Sequence, residues 1–280
     1  MPQRIRLLVG LLLLAVPAMA AGEEKAAGSP KETPQLSIRV LGAEEWKCEV
    51  RDVEKVLYSA AGELWRYFPE RRLPPLEVSA RGGPIVLFDR GPQGQIRVRL
   101  DTGERLWAQM AFQFAHEFGH ILCEFDGKHA PTKWLEESLC ETASLFALRR
   151  MARTWEKDPP YPNWRSFAPH LAEYAAERLK KAKLPEGKTF PQWYRENAEA
   201  LRANATDRDR NTVVAGVLLP LLEAQPEAWE AVSYLNKETF PGPYTFQNHL
   251  KAWRRQCPEK HRAFVAKVAK TFEISLDGGP

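Results

Sequence analysis

Residues 106–122 read LWAQMAFQFAHEFGHIL, and this stretch decides how the rest of the chain is interpreted. Apolar side chains recur at every fourth position, a spacing that places them on one face of an α-helix. That row consists of Leu106, Met110, Phe114, Phe118 and Leu122. The opposite face carries glutamines and two histidines. The pattern therefore predicts a helix with one face in a hydrophobic core and the other on the floor of a polar site.

Upstream of this helix the pattern is that of a small sheet. Residues 36–41 alternate as a strand does, and residues 48–68 have helical spacing. Three short β-like runs follow, separated by glycine-containing turns. They cover residues 76–80, 84–89 and 95–100. The predicted order is strand, helix and then three strands.

Downstream of this helix the helical period continues to the end of the chain. A second helix covers residues 133–153, and a proline-rich loop over 158–169 leads to six more. They lie near residues 170–184, 190–204, 210–224, 226–237, 244–256 and 258–271. The predicted fold class is α+β, with a small mixed sheet and its helices in a subdomain over 36–130, followed by a helical subdomain over 131–280.

Residues 1–20 have the composition of a secretory signal peptide. Arg4 and Arg6 precede ten apolar residues, and residues 18–20 (AMA) supply the small side chains that a signal peptidase reads. We expect cleavage after residue 20 and a flexible polar leader over 21–35. The mature protein is then secreted or periplasmic, without stable membrane association. A retained membrane anchor is the alternative.

Composition excludes several classes of protein. Of the 280 residues, 44% are hydrophobic and 10% aromatic, which is too apolar for a disordered chain. A net charge of +4 offers no electrostatic case for nucleic-acid binding.

The cysteines are Cys48, Cys123, Cys140 and Cys257. In an exported protein an even number of cysteines suggests disulfides. We favour the pairing of Cys123 with Cys140, because both lie near the histidine motif. Buried free thiols are the alternative.

The sequence HEFGH at residues 116–120 is the motif that carries chemistry. Residues four apart share a helical face, so His116 and His120 can point at one metal ion. Zn²⁺ accepts imidazole nitrogen and prefers four ligands. Glu117 is rotated by about 100° from His116, which suits a base acting on metal-bound water rather than a ligand. Two surface histidines on an amphipathic helix are the alternative.

The second predicted helix supplies carboxylates. Residues 134–141 read WLEESLCE, in which Glu137 and Glu141 lie four positions apart on one face. Together with the histidine motif, this segment resembles the gluzincin metallopeptidases, the clan of thermolysin and the zinc aminopeptidases, whose second helix reads roughly WLxEGxAE. Ser138 replaces the usual glycine of that pattern, and Cys140 replaces the usual alanine.

The resemblance covers about residues 104–145. It implies a zincin-like fold, a Zn²⁺ cofactor and hydrolysis of peptide or protein substrates. It also implies that His116, His120 and Glu137 bind the metal. Glu141 would then orient His116 through a hydrogen bond.

Other ligand sets remain open. Glu136 competes with Glu137, although neighbours on a helix point about 100° apart, so only one of them can face the ion. Metzincins read HExxHxxGxxH, and Asp126 occupies their last ligand position, but Cys123 stands where they need glycine. Peptide deformylases add an upstream cysteine ligand, and Cys48 lies far from the motif.

Two other classes of function are also consistent with the pattern. One is a non-catalytic zincin-like module that keeps zinc for stability or for binding a partner. The presence of Glu117 argues against it, because holding a metal needs the ligands and not the base. The other is a helical interaction protein without a metal.

The resemblance also assigns roles in a peptidase mechanism. Glu117 takes a proton from water and passes it to the leaving amine. Related enzymes supply an oxyanion donor from a tyrosine or histidine of the helical half. The candidates are Tyr161, Tyr174, Tyr194, Tyr234, Tyr244, His170, His249 and His261.

Residues 95–100 (QIRVRL) alternate polar and apolar side chains. In the zincin fold an exposed edge strand lies above the cleft and pairs with an extended substrate. We expect residues 95–100 to be that edge strand. Arg97 and Arg99 would then favour acidic substrate side chains.

Overall fold

A computed structural model describes residues 36–125, 130–181, 183–237 and 244–276. The predicted signal peptide (1–20), the predicted leader (21–35) and Asp126 lie outside the described residues. Within these segments there are four strands and eight α-helices. The strands are β1 (Ile38–Val40), β2 (Leu76–Ser79), β3 (Ile85–Val86) and β4 (Ile96–Arg99). The helices are α1 (Val50–Trp65), α2 (Trp107–Leu122), α3 (Lys133–Lys157), α4 (Ala168–Lys181), α5 (Phe190–Ala203), α6 (Arg208–Ala224), α7 (Phe246–Gln256) and α8 (Glu259–Thr271).

This mixture of a small sheet and many helices confirms the predicted α+β class. The four strands form one sheet in the order β1-β2-β4-β3. The first three in that order are parallel, and β3 pairs antiparallel with β4. One hydrophobic core includes residues of the sheet and of both the early and the late helices.

The expectation that residues 95–100 form the edge strand is wrong. Strand β4 is paired on both sides, and β3 is an edge strand. The expected alternation of one buried and one solvated face is confirmed, since Ile96 and Val98 are buried and Arg99 is exposed. Alternation cannot distinguish an edge from a central strand in a sheet with one solvated face.

The segment predicted as a helix over 226–237 is a 3₁₀ helix, Pro226–Tyr234. Its buried side chains recur every third residue, as Ala228 with Ala231 and Trp229 with Val232. Residues three apart eclipse one another in a 3₁₀ helix, so this spacing buries one edge of it. The sequence thus predicts the buried apolar residues of this segment, and the predicted α-helical period of 3.6 is wrong.

Helices α2 and α3 pack against each other at Gly119. A Cβ atom at this position would lie 3.0 Å from the Cα of Cys140 and 3.1 Å from its Sγ. The glycine of the histidine motif is therefore needed for the close approach of the two backbones. This contact sets how far the carboxylates of α3 lie from the imidazoles of α2.

None of the helices in the described segments is long and apolar enough to cross a membrane.

Candidate metal centre

Two adjacent helices bring three ligand atoms together. His116 and His120 come from α2, Glu137 comes from α3, and one ligand atom from each lies within 4.8 Å of the other two. Glu137 Oε2 is 3.2 Å from His116 Nε2 and 3.5 Å from His120 Nε2. Ligand atoms about 2.0–2.1 Å from a tetrahedral Zn²⁺ lie roughly 3.3 Å apart. The three side chains could therefore hold a single metal ion.

The other nitrogen of each imidazole faces a second carboxylate of α3. Glu141 Oε2 lies 3.7 Å from His116 Nδ1, and Glu136 Oε1 lies 2.6 Å from His120 Nδ1. Glu136, the competing candidate for the third ligand, is thus turned to the far side of His120. A carboxylate on Nδ1 fixes the tautomer whose Nε2 lone pair is free for a metal.

Glu136 and Glu141 are themselves held in place. Asn236 Nδ2 donates to Glu136 Oε2 at 2.8 Å, and Lys133 donates to Oε1 of the same carboxylate. Glu141 Oε1 accepts from Thr212 Oγ1 at 3.0 Å. Sequence reasoning missed Lys133, Asn236 and Thr212, because contacts made by isolated polar residues leave no local pattern.

The electrostatics of the cluster favour positive charge. Burial opposes protonation of His116, but its hydrogen bonds to Glu137 and Glu141 raise its pKa to about 10. Burial also opposes protonation of His120, but its contacts with Glu136 and Glu137 prevail and raise its pKa. The pKa of Glu137 is lowered: burial opposes its ionisation, but its two histidine partners prevail. A site that attracts protons in this way also attracts a metal cation, which displaces them.

Glu117 lies beside the ligands but does not join them. Its side chain is buried at 4% exposure, and burial raises the pKa of its carboxyl group against the opposing effect of the two histidines. The backbone of Val86 in the edge strand β3 acts to lower this pKa. Glu117 and Val86 line the same cleft.

These residues form the floor of a cleft of about 550 Å³. Strand β3 and the residues around it make one wall, and helices α4 and α6 contribute to the other. The lining residues include His116, Glu117, His120, Glu137 and Glu141 on the floor, Ile85, Val86 and Phe88 on the first wall, and Tyr174, Arg178 and Arg208 on the second.

Other residues that the sequence suggested for the site lie elsewhere in the structure. Of the eight oxyanion candidates, Tyr174 is the one found among the described residues that line the cleft. Arg97 and Arg99 do not line it, and Arg97 Nε donates to the backbone oxygen of Asp89 instead. The basis for their preference for acidic substrates therefore fails, because they lie on β4 and not on the edge.

The expected Cys123–Cys140 disulfide is wrong, because all four cysteines are free. Cys123 and Cys140 are fully buried. Burial raises the pKa of Cys140 well above its ordinary value, so this thiol is unreactive. It fills the space that Gly119 leaves between the helices.

Comparison with known protein families, with curated proteins and with solved structures finds no match to this chain. The function of the protein is therefore inferred from the geometry of the cleft.

Proposed function

We propose that the protein is a secreted zinc-dependent peptidase with a zincin-like fold of the gluzincin type. The observation that carries the proposal is the convergence of His116, His120 and Glu137 at the spacing of a tetrahedral zinc site, with one coordination position open. Closed structural zinc sites use four protein ligands, whereas catalytic sites use three. The cleft above the ligands has room for a peptide.

The chain's own residues supply the proton transfers. A zinc ion in this site supplies a Lewis acid, which polarises a substrate carbonyl and makes water acidic. Glu117 accepts the proton of the attacking water and delivers it to the leaving amine. The raised pKa of its buried carboxyl group brings it closer to neutral pH, where a group can both accept and donate a proton.

Tyr174 is suited to stabilise the negative charge on the substrate oxygen. Burial raises the pKa of its hydroxyl group, so the phenol keeps its proton and can donate a hydrogen bond. Its ring packs against Phe112 of α2, with centroids 5.6 Å apart, which fixes the side chain in the cleft. The edge strand β3, on the opposite wall, is the place where an extended substrate would pair.

A non-catalytic module that retains zinc is the second candidate. The buried Glu117 distinguishes the two, because a carboxylate that touches no ligand atom contributes nothing to holding a metal and has a cost of burial.

The test is zinc content measured beside hydrolysis of a generic protein substrate, in wild type and in Glu117→Gln. We expect one zinc in both and a loss of activity in the variant of about 10²- to 10⁴-fold. Glu199→Gln, an exposed position on α5, is the matched control and should behave as wild type. Full zinc occupancy without activity in the wild type would favour the module. Zinc well below one per chain would rule out both proposals.

A further inference from the structure

The two ends of the cleft differ in chemistry. At the end near His120 the neighbours are aromatic: Phe125 lies 6.2 Å from the imidazole and 5.2 Å from the ring of Phe88, centroid to centroid. The cation at this end, Lys133, is paired with Glu136. At the end near His116 the neighbours are Glu141 and then Arg178, with Nη2 of the arginine 3.5 Å from the carboxylate. A substrate across the metal would therefore meet an apolar surface on one side and a cation on the other.

Arg178 is held in a fixed position. Its guanidinium lies over the ring of Phe112, 4.5 Å from the centroid, which is cation–π geometry. Its side chain is 29% exposed, while its Nε atom is buried and has no hydrogen-bond partner in the part of the chain that the structure describes. A buried guanidinium donor without a partner is costly unless a ligand satisfies it.

Arg208 adds a second positive charge at the same end. It is the first residue of α6, it is exposed, and it lines the cleft. Within the described segments its side chain forms no ion pair or hydrogen bond. The preceding Asp207 is occupied in capping the helix and in pairing with Arg210. The positive end of the helix dipole adds to the charge of Arg208.

The two guanidinium groups line the same cleft as Tyr174. Burial and the charge of Glu141 raise the pKa of that hydroxyl group, and Arg178 and Arg208 act to lower it. Two carboxylates lie at this end: Glu137 faces the two histidines, and Glu141 is engaged by His116, Arg178 and Thr212. Neither pairs with Arg208, so the His116 end of the cleft keeps a positive charge without a carboxylate partner among the described residues.

We propose that Arg178 and Arg208 form a subsite that binds a carboxylate of the substrate, on the His116 side of the scissile bond. This proposal rests on the proposed peptidase function and adds a substrate class to it. A carboxylate can be held by guanidinium groups through paired charge-assisted hydrogen bonds. Two sources have this chemistry: the free C-terminus of a peptide and the side chain of an acidic residue.

A purely positional role for Arg178, in which it only holds Glu141 against His116, predicts a different behaviour. Removing Arg178 would then weaken zinc binding and all substrates equally. Arg208 touches neither Glu141 nor a histidine, so its removal separates the two roles.

The experiment measures peptide binding by calorimetry, using zinc-loaded Glu117→Gln protein so that no turnover occurs. The probes are acetyl-Phe-Ala-Ala with a free carboxylate, the same peptide as its amide, and acetyl-Phe-Ala-Glu amide. We expect the free acid to bind about tenfold more tightly than the first amide. Adding Arg208→Gln should bring this ratio at least threefold closer to one. Adding Arg202→Gln, an exposed arginine on α5, should leave it unchanged.

The third peptide identifies the source of the carboxylate. Binding as tight as that of the free acid means that an acidic side chain suffices, and binding at the level of the first amide means that the C-terminus is required. Equal binding of all three peptides, an acid-to-amide ratio that Arg208→Gln does not change, or no binding of any peptide would overturn the subsite. The proposed peptidase function is judged separately, by zinc-dependent hydrolysis in the wild type, so the two can fail independently.

Discussion

His116 and His120 share a helix, a proposed ligand role and a carboxylate near Nδ1, yet their surroundings differ. The carboxylate of His120 is Glu136, which is tied to Lys133 and to the buried Asn236. The carboxylate of His116 is Glu141, which lines the cleft and is shared with Arg178. The same histidine–carboxylate pair thus occurs on a closed side, where the carboxylate contacts other protein groups, and on an open side, where it lines the cleft.

This contrast indicates how a helix pair separates stability from function. On the closed side every polar atom of Glu136 is directed at a protein group. On the open side, Arg178, which contacts Glu141, has an Nε atom without a hydrogen-bond partner among the described residues. Substitutions on the closed side should therefore affect folding and zinc, and those on the open side should affect zinc and substrate.

The largest expected effect comes from Glu137, which both sides share. Glu137→Ala removes a ligand, and we expect zinc affinity to fall by more than about a hundredfold, beyond the loss typical of a residue that only orients a ligand. Competition with a chromophoric chelator measures it. Glu199→Gln should show wild-type affinity. Unimpaired zinc binding by Glu137→Ala would assign the ligand role to another acid, and Glu137 would then no longer be the ligand that the two sides share.

The next largest effect is the dependence on pH. The pKa of metal-free His116 is raised from 6.5 to about 10, so protons compete with the metal throughout the neutral range. Zinc affinity should fall about tenfold per pH unit on acidification for each proton displaced. The stability of the metal-free protein should instead fall as the pH rises. A raised folded-state pKa contributes stability that is complete below pH 6.5 and is lost as pH rises through about 10.

Urea denaturation of chelator-treated and zinc-loaded protein, at several pH values, measures both trends. Stability of the metal-free protein that increases from pH 6.5 to 10 would show that the histidine–carboxylate contacts do not form in solution.

A third prediction separates the two sides directly. Glu136→Gln and Glu141→Gln should each lower zinc affinity by about 10- to 100-fold, because each removes the partner of a ligating histidine. Only Glu141→Gln should change substrate preference, since it leaves the charge of Arg178 less compensated. We expect its acid-to-amide binding ratio to rise by about threefold. The peptide calorimetry described above measures it. A change of the same size in Glu136→Gln would mean that the two sides are not distinct.

The smallest effect concerns packing. Gly119→Ala would place a methyl group 3.0 Å from the Cα of Cys140, on the closed side. Relief of this overlap requires a backbone shift, and we expect a loss of about 1–3 kcal/mol in the free energy of unfolding. Gln109→Ala, on the open side and lining the cleft, should cost within about 0.5 kcal/mol. Thermal and urea denaturation measure both. Equal losses would show that the open side is packed as tightly as the closed side.

The features that could be predicted from the sequence are those encoded by local periodicity. The spacing of four in residues 106–122 locates α2 and the face that carries His116 and His120. The same spacing places Glu137 and Glu141 on one face of α3. Glu136, the competing candidate for the third ligand, is buried against His120, because the packing of α2 on α3 decides which of the two neighbours faces the proposed metal position.

Features that depend on contacts between residues distant in sequence could not be predicted from local patterns. Asn236 meets Glu136 across 100 residues, and Arg178 meets Glu141 across 37. The edge position of β3 depends on strand order, which a two-residue strand does not reveal. Cys123 and Cys140 are both buried free thiols, so the burial of this pair near the histidine motif is observed and the covalent bond between them is not.

The most direct test of the central claim is a crystal structure of the protein grown with Zn²⁺, with anomalous difference maps recorded on both sides of the zinc edge. The account predicts one peak about 2.0–2.2 Å from His116 Nε2, His120 Nε2 and a Glu137 oxygen, with the remaining ligand a solvent molecule in the cleft. A peak bound to Glu136 in place of Glu137, a fourth protein ligand closing the site, or no peak between the two helices would contradict it.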